Sequence, residues 1–146
     1  MIKVERWMKR DPVTIDENAS IVDAIHLMKE KVVRRLPVMR KERLVGLVTD
    51  RMIKEYAPGK ASLSDTWEVH YLLSKTKVKD VMNKEPHTVT PDTEMVDAAQ
   101  IIHDNKLHGL CVVDSAGALV GILTTTDIME ALIALCRSQN GNTPAK

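Results

Sequence analysis

KVERWMKRDPVTIDENASIVDAIHLM, residues 3–28, and KVKDVMNKEPHTVTPDTEMVDAAQII, residues 77–102, decide how this chain folds, because they are two copies of one pattern. Lys3-Val4 stands against Lys77-Val78, Met8 against Met82, Pro12 against Pro86 and Thr14 against Thr88. Val22-Asp23-Ala24 stands against Val96-Asp97-Ala98, all at an offset of 74. Working outward, Leu36 and Val38 match Leu110 and Val112. One extra residue near Gly117 then moves the offset to 75, so that Leu44-Val45-Gly46 matches Leu119-Val120-Gly121, Thr49 matches Thr124 and Ile53 matches Ile128. Self-similarity held in order over roughly fifty residues marks a duplicated structural unit.

Each copy has a readable local pattern. Val13-Thr14-Ile15 and Thr88-Val89 are short β-type runs just after a proline. Ser20 can cap a helix whose apolar positions Ile21, Ala24, Ile25 and Met28 follow the 3.6-residue period, with Asp23 where a capping box wants a carboxylate. The equivalent helix is predicted from near Thr93, burying Met95, Val96, Ala99 and Ile102. Leu36-Pro37-Val38-Met39 and residues 44–49 are apolar runs around a charged turn and predict a hairpin. In the second copy that turn is Asp114-Ser115-Ala116-Gly117, better turn chemistry than residues 40–43. A helix is predicted after each hairpin, over 51–56 and 127–137. The predicted fold class is α+β, a tandem pair of β-α-β-β-α motifs. A unit of this size buries little core alone, so the two are expected to pack sheet to sheet with pseudo-twofold symmetry. The predicted boundaries are 7–60 and 78–137 for the motifs, 61–77 for a linker with a short helix, and 138–146 for a disordered tail. Trp67 and Tyr71 lie four apart on the linker helix, as a packing stripe or an interface, with Asp65 and Glu68 as its capping box.

Composition narrows the function classes. The core must be aliphatic, since there is no Phe and the aromatics are two Trp and two Tyr. No apolar run approaches the ~18–20 residues of a membrane span, and MIKVERWMKR lacks the apolar stretch of a signal peptide. Cys111 and Cys136 are too few for a disulfide framework, which fits a reducing cytoplasm. The net charge of +1 hides a basic first half, densest at Arg34, Arg35, Arg40, Lys41 and Arg43, which is either a solvated face or an anion site. A nucleic-acid partner would call for a more basic protein than a pI of about 7.8. His26, His70, His87, His103 and His108 show no metal-ligand spacing. His108, Cys111 and Asp114 lie close in sequence, but residues three apart on a strand point to opposite faces, which argues against a thiol catalyst.

The residues best suited to ligand chemistry are Gly121-Ile122-Leu123-Thr124-Thr125-Thr126-Asp127. Thr124 and Asp127 fall where a strand ends and a helix opens, so unpaired N–H groups and the helix dipole favour an anion there. A hydroxyl can donate to a phosphate, and a carboxylate one turn on can accept both hydroxyls of a ribose. The same residues also make an ordinary helix cap. In the first copy the stretch is Gly46-Leu47-Val48-Thr49-Asp50-Arg51-Met52, so a thioether, a poor acceptor, replaces the carboxylate. Asp50 is then expected to cap that helix.

The β-α-β-β-α order, the LPVM and LCVVD strands, and the GLVT and GILTTTDI stretches resemble CBS motifs over nearly the whole chain. The SLSDTWEVHYLL insert before VKDVM is similar to acetoin-utilization-type CBS proteins, without the extra C-terminal domain of some relatives. The resemblance implies a non-catalytic sensor with no required cofactor. Its implied regulatory ligand is AMP, ADP, ATP or S-adenosylmethionine, held in a cleft between the two motifs. It implies Thr124 and Asp127 as principal contacts, Thr14, Ile15 and Asp16 as the opposing wall, and His108 and Arg35 as phosphate contacts. It further implies a homodimer, with Met28, Ile53, Met129, Ile133 and Leu135 as apolar helix surface, and an effector protein as partner. A ligand-free dimerisation scaffold shares every one of these fold features.

Overall fold

The computed structural model describes residues 2–57 and 66–139. The chain divides into two compact units, Pro12–Pro86 and Met1–Asp11 with His87–Lys146. Both are α+β, and both contain the β-α-β-β-α order.

In the unit Pro12–Pro86, β2 (Ile15–Asp16) leads to α2 (Ile21–Lys31), β3 (Arg35–Arg40), β4 (Arg43–Thr49) and α3 (Asp50–Tyr56). Ser20 starts α2 by accepting from the Asp23 N–H, while the Asp23 carboxylate accepts from the Ser20 N–H. Ile21, Ala24 and Met28 are the buried face of that helix. β2 pairs parallel to β3, and β3 pairs antiparallel to β4, so β3 is central. The core gathers Leu36, Val38, Val48 and Ile53 against α2. The linker helix α4 (Thr66–Lys75) follows, packed on α2 through Leu73, and so belongs to this unit. The Trp67–Tyr71 packing stripe is not found: these side chains are 79% and 63% exposed, and Val69 and Leu73 face the core instead. The Asp65 half of the expected capping box lies outside the described residues.

The second unit repeats the plan with β5 (Thr88–Val89), α5 (Met95–Asn105), β6 (Gly109–Val113), β7 (Leu119–Thr124) and α6 (Thr125–Gln139). The helix phase differs from the expected one. Glu94 is the N-cap, Met95, Ala98 and Ile102 are buried, and Val96 is exposed. Thr93 instead closes the preceding turn through its hydroxyl, which accepts from the Thr90 N–H at 3.0 Å. The β6–β7 turn is held by Asp114, whose Oδ1 accepts from the N–H groups of Ala116 and Ala118, with Gly117 at φ 85°. Helix α6 takes in Ser138 and Gln139, which the sequence assigns to a disordered tail; 140–146 lie outside the described residues.

The segment before each proline serves the other copy. α1 (Val4–Trp7) and β1 (Lys9–Arg10) complete the unit of the second copy, β1 pairing antiparallel with Gly121 and Ile122 of β7. A 3-10 turn, Val78–Asp80, and the residues after it complete the first, with Asn83 bridged to Leu47 of β4. The hydrogen bonds repeat at the same offset. Val4 N–H donates to the Thr93 carbonyl and Glu5 N–H to that of Pro91, while Val78 N–H donates to Ala19 and Lys79 N–H to Glu17. The repeat as read along the sequence is therefore not the unit that packs. The packed unit of the first copy begins at Pro12 for this physical reason.

Candidate functional site

Helix α6 opens directly from β7, and Thr124 at the junction precedes its first turn. Asp127, one turn in, is fully buried. Its Oδ2 accepts from the Thr124 N–H at 2.8 Å and from the Thr124 hydroxyl at 3.2 Å. This is the carboxylate half of a capping box, and the hydroxyl turns inward as a donor. The other oxygen, Oδ1, has Lys9 Nζ at 2.8 Å, within hydrogen-bonding distance but poorly aligned, and no other polar partner. Glu130 lies 3.8 Å from the same ammonium. The Lys9 side chain is 63% exposed while that of Asp127 is not exposed at all. Lys9 is held in its charged form above the ordinary lysine range by the side-chain contact with Asp127 and then by that carboxylate's charge.

The first copy solves the same junction differently. Thr49 accepts from the Met52 N–H at 3.1 Å, an ordinary N-cap, because no carboxylate competes for its hydroxyl. Asp50 is not the cap; it pairs with Lys54 at 3.3 Å along the helix. The two junctions share one backbone contact: Thr125 N–H donates to the His108 carbonyl as Asp50 N–H donates to that of Arg34. Arg34, not Arg35, is thus the counterpart of His108, and Arg35 sits on β3 opposite Thr49.

The structure brings His108, Thr124 and Asp127 together at the start of α6 in one unit. Thr14, Ile15, Asp16 and Arg35 stand in the other unit, with Thr14 exposed, Ile15 buried in the core, and the Asp16 carboxylate accepting from the Asn18 N–H. Lys9 was not legible as a site residue, since nothing in its neighbours signals a partner more than a hundred residues away. Its repeat equivalent, Asn83, carries no charge. Cys111 is fully buried and Asp114 is committed to its turn. Among the described residues there is no cluster of side chains that could hold a metal, and no helix long and apolar enough to cross a membrane.

Comparison with known proteins places these observations. The family model described as CBS domain matches residues 4–59 and again 78–134. The crystal structure of CBSX2 in complex with AMP is similar at TM-score 0.78 and 31% identity, covering 94% of this chain and 100% of that one. The crystal structure of a putative acetoin utilization protein (AcuB) from Vibrio cholerae is similar at TM-score 0.77 and 30% identity, with 99% of each chain covered. An inosine-5'-monophosphate dehydrogenase from Korarchaeum cryptofilum is 32% identical over 126 residues, which are 86% of this chain but 23% of that enzyme.

Proposed function

Because this chain belongs to the CBS domain family and carries two of its repeats, we propose that it is a cytoplasmic regulatory module that binds an adenosine-type ligand, AMP, ADP, ATP or S-adenosylmethionine, without turning over a substrate. Asp127 is the observation that carries this reading. One oxygen of a fully buried carboxylate is spent on Thr124, and the other faces only a lysine whose flexible chain is mostly in solvent. A ribose diol can supply the well-aligned donors that Oδ1 lacks, with Lys9 swinging outward to admit it. The nearby helix start and His108 suit a phosphate. Thr14, Ile15, Asp16 and Arg35 are the further contacts in this reading. Support comes from a relative crystallised with AMP that is 31% identical over its whole chain. The similarity to the dehydrogenase lends no catalysis, since it spans under a quarter of that enzyme.

The output passes through an effector protein, and the module acts as a homodimer. Met28 and Ile53 do not serve that contact, being 7% and 6% exposed in their own core. Helix α6 supplies the surface instead: Met129, Leu132, Ile133 and Leu135 are 59%, 54%, 48% and 42% exposed. Apolar surface concentrated on one helix marks an interface. The same face supports the second reading, a ligand-free dimerisation scaffold in which the Lys9–Asp127 pair is structural.

A thermal-shift series separates the two. At about 100 times Kd, a ligand should stabilise the fold by about 2.7 kcal/mol. AMP, ADP, ATP and S-adenosylmethionine are the test set, with 2′-deoxy-AMP as control for the diol. A shift with at least one of them, reduced for the deoxy analogue and in Asp127→Asn, supports the sensor. No shift with any leaves the scaffold.

A further inference from the structure

The unit Pro12–Pro86 holds a cavity of about 530 Å³ lined by charged side chains that the reading above does not use. It lies at the turn end of β3, where Arg40 ends the strand and the segment after Val78–Asp80 passes alongside β4. Arg40 is locked in place: Nε and Nη2 donate to the two carboxylate oxygens of Glu17 at 2.6 and 3.2 Å, and Glu17 is itself only 7% exposed. A guanidinium has five N–H donors, so this fork leaves three to serve a ligand. The Lys79 N–H donates to the Glu17 carbonyl, which fixes Lys79 beside the pair. Lys79 and Lys84 both line the cavity, and neither has a salt-bridge partner among the described residues. Val45 and Met82 supply an apolar wall. Met82 is fixed in turn by its seat on Gly46, where an added Cβ would meet its Sδ at 2.5 Å.

We propose that this cavity binds a small phosphate-bearing anion. Glu17 and Asp80 stand against Arg40, Lys79 and Lys84, so the lining keeps an excess positive charge. A pre-organised guanidinium flanked by two ammonium groups matches the many acceptor oxygens of a phosphate better than the two of a carboxylate. The volume falls within the roughly 300–1,000 Å³ of small-molecule sites. The second copy cannot form the same site. At the equivalent positions Pro91 replaces Glu17, Asp114 replaces Arg40 and Glu5 replaces Lys79. One such site per chain is therefore expected, built wholly from residues of Pro12–Pro86. It also gives a role to Arg40, the one member of the basic cluster that lines the cavity.

The test uses the full chain with methyl-labelled methionine and inorganic pyrophosphate as probe, titrated at constant ionic strength. The Met82 methyl signal should shift and saturate. In Lys79→Gln/Lys84→Gln, whose two surface substitutions leave the core intact, the apparent Kd should rise at least about tenfold. Asp127→Asn should leave the Met82 response unchanged, which keeps this site apart from the adenosine reading. A Met82 signal that does not move, a shift that sodium chloride reproduces, or an unchanged Kd in the double variant would overturn the proposal.

Discussion

Asp127 is a buried anion whose fate depends on one exposed lysine. Replacing Lys9 with Met keeps the stem but leaves Oδ1 with no counter-charge. Removing one partner of a fully buried pair costs about 3–5 kcal/mol, but Lys9 is mostly exposed and water can take its place. About 1 kcal/mol of destabilisation is therefore expected in denaturant unfolding. The pH dependence has a definite sign. Because folding raises the Lys9 pKa, the pair's contribution is complete below the unfolded lysine value of about 10.4 and fades as pH rises through the higher folded one. Stability curves of wild type and Lys9→Met should therefore converge in strong alkali and stay parallel at neutral pH. Asp127→Ala should cost more, about 2 kcal/mol, since it also strips the Thr124 N–H of its acceptor. If Asp127→Ala proves as stable as wild type, the carboxylate is not the structural cap described here. The carboxylate and its threonine were legible from the motif, since strand-end chemistry is local. The lysine was not, because a contact made across the length of the chain leaves no mark on either neighbourhood.

The elements themselves followed from short-range patterns wherever one pattern was unopposed. The Ser20–Asp23 box, the hairpins and the Thr88–Val89 strand stand where the residues put them, whereas the first strand is Ile15–Asp16 and leaves Val13 and Thr14 outside it. The phase of α5 did not, because Thr93 offered a plausible cap and was taken up by a turn with Thr90, leaving Glu94 to start the helix. Gly46 and Gly121 carry a signal of another kind. Each is the seat of a methionine from the exchanged segment: an added Cβ at Gly121 would lie 2.8 Å from both Met8 Sδ and the Lys9 carbonyl. The glycine that opens the ligand motif is thus needed for strand approach. Gly121→Ala and Gly46→Ala should each lose about 1–3 kcal/mol in thermal unfolding, typical of overpacking, and neither loss should be relieved by nucleotide. Thr49→Ala should cost about 1 kcal/mol through its lost cap. A larger effect at Thr49 than at Gly46 would contradict this ordering.

At the scale of the molecule, the exchange of leading segments defines what can be cut out. A fragment of residues 12–86 contains all of its unit and is expected to unfold cooperatively by circular dichroism. A fragment of 87–139 lacks β1 and Val4, a fully buried core residue, and is expected to be unfolded until a peptide of residues 2–11 is added. Folding of 87–139 without that peptide would refute the description of the unit. The full chain is expected to run as a dimer in light scattering, and Leu132→Lys/Ile133→Lys should make it monomeric while its unfolding midpoint in dilute solution stays close to wild type.

The exchange also has a consequence in time. On the ribosome, residues 2–11 emerge ahead of the rest of their unit, and their partners in β7 are made more than a hundred residues later. At about 5–20 residues per second, that is a wait of roughly 5–20 s. During it, the middle of the chain, Pro12–Pro86, emerges complete and can close on itself. Residues 2–11 are thus made before Pro12–Pro86 yet find their place after it, and they spend the interval with Val4 and Met8 uncovered. Synthesis speed through the second half should therefore govern yield, with slow codons there lengthening the exposure and a chaperone that holds short apolar segments relieving it.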